Sequence, residues 1–114
     1  MSPAAADVLH KSGALQVQNL VLWPARGEVE AEGVPVSLTP REMELLLVLA
    51  KRPGRVVQRQ EIYEEVWGGV MPYRDRSVDV WVKKLRGKLA TAAPDYLFVH
   101  THYGFGYRLW AEPV

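Results

Sequence analysis

The apolar positions of this chain change period along its length, and each change marks an element. From Ala14 to Leu38 they alternate in short runs, Leu15/Val17, Leu20/Leu22, Val29/Ala31 and Val34/Val36, the period of two expected of half-buried strands. Asn19, Pro24 with Gly27, and Gly33 supply the breaks, and Glu32-Gly33 has the composition of a tight hairpin turn. The pattern predicts four short strands in a small antiparallel sheet with one face packed and one exposed.

Helix punctuation follows at Leu38-Thr39-Pro40-Arg41-Glu42-Met43. Thr39 is placed to cap, Pro40 suits the first helical position, Glu42 completes a capping box, and Leu38 is spaced to staple onto Met43. The run Leu45–Leu49 is apolar around most of a helix circumference, which predicts the buried centre of the domain, and Arg52-Pro53-Gly54 ends it. Residues 60–67 predict a shorter helix, with Ile62/Val66 and Tyr63/Trp67 one turn apart, stopped by Gly68-Gly69. A loop over 68–73 then leads to a long helix over 74–90, with Asp75 as its expected cap. After a connector at 91–95, a strand over 96–100, a turn at Gly104-Phe105-Gly106 and a returning strand over 107–110 predict a β-hairpin.

The long helix has two different faces. At about 100° per residue, Val78, Val82, Leu85 and Leu89 form one stripe suited to a core. Opposite them lie Arg76, Val80, Lys83 and Gly87, flanked by Ser77 and Lys84 on one side and by Asp79 and Arg86 on the other. Between Arg74 and Lys88 six basic residues face two acidic ones, whereas the whole chain carries a net charge of only +1. Concentrated charge of this kind suits a helix of about 12 Å width lying in a DNA major groove, with Arg and Lys heads meeting phosphates and Ser77, Val80 and Lys84 facing base edges. Two helices joined by a loop ahead of that face outline a helix-turn-helix with a long turn, and the hairpin behind it is placed as a wing.

Composition narrows the classes further. With 114 residues, 48% of them hydrophobic and four Trp among them, the chain has the makings of one globular core. No run approaches the roughly 18 apolar residues of a membrane span, and no charged start precedes an apolar stretch, so a cytoplasmic protein is expected. The absence of Cys removes disulfides, thiolate metal sites and cysteine nucleophiles. The balance of 14 basic against 13 acidic residues argues against a uniformly basic coat. Residues 1–13, Ala-rich and without period, are expected to be a flexible segment or linker, and residues 14–114 the folded domain.

Other chemistry finds little support. His100 and His102 share a strand face but lack the third and fourth ligands of a metal site. The carboxylates Glu61, Glu64 and Glu65 with Asp75 and Asp79 fall at surface and cap positions, and Asp79 is spaced to pair with Lys83 or with the Arg86 side. Gly104 and Gly106 sit in a hairpin with no helix after them to receive a phosphate. Trp81, off the apolar stripe, is expected as a half-buried packing residue. No catalytic residue, cofactor or metal is therefore expected.

Taken as a set, Leu38-Thr39-Pro40-Arg41-Glu42, Trp67-Gly68, the run from Arg74 to Arg86 and the run from Thr101 to Arg108 resemble the winged-helix output domain of OmpR/PhoB-type response regulators, over about residues 15–109. The resemblance implies an α+β winged helix-turn-helix: a four-stranded N-terminal antiparallel sheet, three helices and a C-terminal hairpin wing. It implies sequence-specific binding of double-stranded DNA by a bacterial two-component (phosphorelay) transcription regulator, monomeric when free and paired on direct-repeat half-sites. Carried over, Arg76, Ser77, Val80, Lys83, Lys84 and Arg86 of the recognition helix meet DNA. Trp67, Thr101, His102, Tyr103 and Tyr107 serve the backbone or the wing, and the 68–74 loop is placed to reach RNA polymerase. Two departures stand out: Tyr103 where the family usually has Arg, and no phosphoacceptor receiver domain within these residues. The alternative is a winged helix repurposed for protein–protein interaction, which would replace Arg76, Lys83 and Lys84 by an exposed apolar patch.

Overall fold

A computed structural model describes residues 7–9 and 13–114. Four predicted strands are present as β2 (Ala14–Val17), β3 (Leu20–Trp23), β4 (Glu28–Ala31) and β5 (Val34–Ser37), with one strand, β1 (Asp7–Leu9), ahead of them. They form an antiparallel sheet in simple sequence order. β1 pairs Val8 with Leu15, so the sheet has a fifth strand inside the segment expected to be a linker, while the other residues of 1–12 lie outside those described. Glu32 and Gly33 both take positive φ (52° and 75°), the geometry of a tight hairpin turn that matches the right-handed twist of the strands it joins.

Helix α1 (Pro40–Ala50) starts as its sequence dictates. The Thr39 hydroxyl accepts from the Glu42 backbone N–H, and the Glu42 carboxylate accepts from the Thr39 N–H at 2.8 Å, the two bonds of a capping box. Its Met43, Leu45, Leu46, Val48 and Leu49 are buried, and Leu38 packs against the same cluster. Helix α2 (Arg59–Val66) follows a short strand, β6 (Val56–Gln58), that the residue pattern did not predict. Three residues are too few to display a period, and this strand exists only because β8 lies beside it.

Helix α3 spans Ser77–Ala92, starting three residues later than expected and ending two later. Asp75 does not cap it. Its carboxylate accepts from the Ser77 N–H at 2.8 Å one residue ahead of the N-cap Arg76, and Arg74 turns the chain at φ 61°. The stripe Val78, Val82, Leu85 and Leu89 is buried as its spacing required, against α1, β5 and β7. β7 (Tyr96–His102) and β8 (Gly106–Pro113) form the predicted hairpin, and β6 pairs with the outer side of β8, giving a three-stranded sheet in the order β6-β8-β7. The N-terminal sheet and the hairpin sheet are tied by Gln18, whose amide accepts from the Ala111 N–H at 2.6 Å and donates to the Ala111 carbonyl at 3.4 Å. The architecture is the α+β winged helix-turn-helix expected, with an added edge strand at one end and a brace behind the wing.

Candidate nucleic-acid interface

With one stripe of α3 committed to the core, its other side is left for solvent. Lys83, Lys84 and Gly87 are exposed there, and Val80 stands in the middle at 48% exposure. Beside them runs an open groove of about 810 Å³, lined by Val80, Lys83, Lys84, Gly87 and Lys88 and floored by Glu42. Gly87 makes room for it, because no side chain projects at that turn. Lys88, however, is engaged: its ammonium lies 2.6 Å from the Glu42 carboxylate. Glu42 is only 2% exposed, and its burial alone would raise its pKa. The bond from Lys88 and those at Thr39 outweigh burial and hold it below the ordinary value of 4.5. Lys84 lies with its ammonium 4.2 Å from the centre of the half-buried Trp81 ring, a cation–π contact that leaves Lys83 the freer of the two.

The start of the recognition helix is organised around Asp79, and not in the way its spacing suggested. Asp79 reaches neither Lys83 nor Arg86. Its Oδ1 accepts from Arg59 Nε at 2.8 Å and from the Tyr107 hydroxyl, while Arg76 approaches Oδ2 at 3.5 Å. Burial pushes its pKa up, but hydrogen bonds from Tyr107 and Arg59 outweigh that and bring it below the ordinary aspartate value. For Tyr107 the sum runs the other way, because burial and the neighbouring carboxylate both push the phenol up. One carboxylate thus joins α2, α3 and β8. No sequence pattern could reveal it, since its partners lie 20 and 28 residues away.

This placement corrects the expectation for Tyr107. It is 4% exposed with its hydroxyl bonded to Asp79, so it braces the wing against the helix from inside instead of offering its hydroxyl to a phosphate. Arg86 and Thr101 hold each other: Arg86 Nη2 donates to Thr101 Oγ1 at 2.8 Å, a second tie between α3 and the hairpin, this one to β7. Trp67 C-caps α2, stacks on Tyr63 with centroids 5.3 Å apart, and lies under the Arg41 guanidinium at 5.1 Å. Arg41 also donates to the Val66 carbonyl at 2.7 Å, so this cluster fixes the angle between α1 and α2.

At the wing, His100 Nε2 bonds the Trp110 carbonyl at 2.8 Å, and His102 Nε2 accepts from Arg108 Nε at 3.2 Å. Arg108 also reaches Glu112 at 3.4 Å. The tip residue Tyr103 is 86% exposed. The site therefore brings together Ser77, Val80, Lys83 and Lys84 on one side of α3 with Arg76 at its N-cap and Arg74 at the turn before the helix. Arg59, which the sequence reading did not single out, holds the helix start in place.

Comparison with known proteins agrees with this geometry. The family described as "Transcriptional regulatory protein, C terminal" matches residues 33–109. The chain is 44% identical over 98 residues to the transcriptional regulatory protein CreB of Escherichia coli K12, covering 86% of this chain and 43% of CreB. It is 38% identical over 107 residues to the response regulator MprA of Mycolicibacterium vanbaalenii, covering 94% of this chain and 46% of MprA. It thus spans less than half the length of these curated relatives. Among solved structures it is similar to the DNA-binding domain of CpxR from E. coli, with a TM-score of 0.73 and 34% identity over 84% of this chain and 94% of that one. The DNA-binding domain of Klebsiella pneumoniae RstA, solved in complex with the RstA box, gives a TM-score of 0.75 and 27% identity over 84% and 95%. A buried stripe and a cationic face on one helix, a braced hairpin behind it, and a family match over 33–109 converge: this chain belongs to the C-terminal, OmpR/PhoB-type winged-helix family of transcriptional regulatory proteins.

Proposed function

We propose that this chain is the sequence-specific DNA-binding output domain of a bacterial two-component transcription regulator, with α3 lying in the major groove. The observation that carries this reading is the sidedness of α3: Val78, Val82, Leu85 and Leu89 are buried while Lys83, Lys84 and Val80 are exposed on the opposite face. Arg74, Arg76 and Lys83 neutralise phosphates. Lys84 and Ser77 donate to base edges, and Val80 offers an apolar contact to a thymine methyl group. Arg86 and Thr101 hold the wing to the helix and contact the backbone at its margin; His102 and Tyr103 lie on the wing, and Trp67 supports the helix pair from behind. Two copies occupy direct-repeat half-sites, and the 68–74 loop, with Val70 and Tyr73 exposed, reaches RNA polymerase. Selection from a pool of random duplexes tests this. Enrichment of a repeated half-site is expected; a pool that stays random after several rounds at moderate salt refutes it.

A further inference from the structure

The turn of the wing presents two aromatic rings to solvent, Tyr103 at 86% and Phe105 at 70% exposure. Rings of this size normally contribute to a core, and here they lie at the point of the molecule farthest along the hairpin from its root. The backbone beneath them is firmly set. The Phe105 N–H donates to the His102 carbonyl at 2.9 Å, and Gly104 turns at φ 81°. Gly106, at φ 156°, packs so closely on β6 that a Cβ there would lie 2.0 Å from the Val57 carbonyl oxygen. With β6 and β7 on either side of β8, and Asp79–Tyr107 and Arg86–Thr101 joining the hairpin to α3, the tip has little freedom to fold its rings away.

The electrostatic setting indicates what these rings meet. From Tyr96 to Ala111 there is no Asp or Glu, and the hairpin's one carboxylate, Glu112, lies at its root and faces Arg108 at 3.4 Å, so the tip approaches a polyanion without repulsion. Tyr103 itself carries no positive charge with which to read a narrow groove. Resting on the proposed DNA-binding reading, we propose that the Tyr103/Phe105 tip is an aromatic wedge that enters the minor groove beside the half-site and partly unstacks one base step. Phe105, without a polar atom, is the ring that enters the step. Tyr103 lines the groove with its hydroxyl directed to the backbone. Apolar wedges of this kind kink the duplex toward the major groove, by roughly 20–90°. They favour pyrimidine–purine steps, which unstack most readily.

The test places 2-aminopurine at successive positions flanking a half-site recovered by selection and saturates each duplex with the 114-residue chain, with binding followed separately by anisotropy. A several-fold rise in 2-aminopurine fluorescence at one flanking step is expected with the native chain. It is lost in Phe105→Ser, reduced in Tyr103→Ser and largely retained in Phe105→Leu, while thermal unfolding of all three stays unchanged because the rings are exposed. Saturating anisotropy with no rise at any flank overturns the wedge and leaves the DNA reading intact. Absence of binding overturns both. Serine variants that lose only cooperative occupation of paired half-sites, without any fluorescence rise in the native chain, overturn it in favour of rings covered by a neighbouring copy.

Discussion

Lys83 and Lys84 are neighbours in sequence with different surroundings, so they should behave differently when removed. The cation–π contact with Trp81 restricts where the Lys84 ammonium points, which suits a residue that must meet one base edge. Lys84→Ala should lose discrimination at a single base position, a cost of ~1–3 kcal/mol against the preferred base, whereas Lys83→Ala should weaken all sequences alike. Binding profiles over a set of single-base operator variants separate the two, and the reverse assignment would mean that the exposed face is rotated from the one described. Tyr103 makes a second residue-scale prediction. Narrow A-tract grooves attract cations, and Tyr brings none, so A-tract flanks should give the native chain no advantage. Tyr103→Arg should tighten binding and create that preference in competition with G·C-rich flanks. A strong A-tract preference in the native chain would show that another group fills the groove; Arg108 is already held by His102 and Glu112.

Between elements, two carboxylates hold the helices and wing in register. Glu42 joins α1 to α3 through Lys88, and Asp79 joins α3 to α2 and β8 through Arg59 and Tyr107. Both folded-state pKa values are lowered, so their stabilising contribution is fully present above the ordinary carboxylate range and disappears as pH falls through the lowered values. Thermal unfolding followed from pH 7 downward should therefore show stability falling below about 4.5, the ordinary glutamate value. Glu42→Gln should be less stable at neutral pH and lose less on acidification. An acid limb with the same slope in the variant would remove Glu42 from this account. Asp79→Ala leaves the Arg59 guanidinium and the Tyr107 hydroxyl without their acceptor, at about 1–3 kcal/mol for the unsatisfied buried group. Because it also frees the wing root from the recognition helix, it should weaken operator binding more than random-duplex binding.

For the molecule as a whole, the structure sorts the cations into those already paired and those free to meet phosphate. Arg59, Lys88 and Arg108 are paired with carboxylates inside the fold. Arg86 is held only by the neutral Thr101 hydroxyl, Arg76 keeps an 80% exposed side chain although Asp79 lies 3.5 Å away, and Arg74, Lys83 and Lys84 are exposed on the side of α3 and its leading turn. With roughly four phosphates neutralised, by Arg74, Arg76, Lys83 and Arg86, log K should fall against log salt with a slope near −3.5 to −4. A flat dependence would sink the DNA reading. The free chain should sediment as a monomer, because its strong apolar stripes are spent on one core. On DNA two copies should protect half-sites about one helical turn apart, and a footprint confined to one half-site at saturation would exclude that arrangement.

Periodicity and local capping determined much of this protein before any fold was built. The alternation in β2 to β5, the Thr39/Glu42 box and the stripe from Val78 to Leu89 are short-range patterns, since a strand or helix repeats its environment every two or about 3.6 residues. The sidedness of α3, and with it most of the candidate DNA face, was legible for the same reason. What only the tertiary structure decided are the contacts between residues far apart in sequence. β6 is too short to display a period and is a strand because β8 pairs with it. Asp79 turns away from the nearby Lys83 because Arg59 and Tyr107 converge on it from two other elements, and the same convergence takes Tyr107 into the interior, while a separate long-range pair ties Lys88 to Glu42. Which cations remain free for a partner depends on these long-range pairings, because a charge satisfied inside the fold is no longer available to a phosphate, and no local spacing encodes that choice.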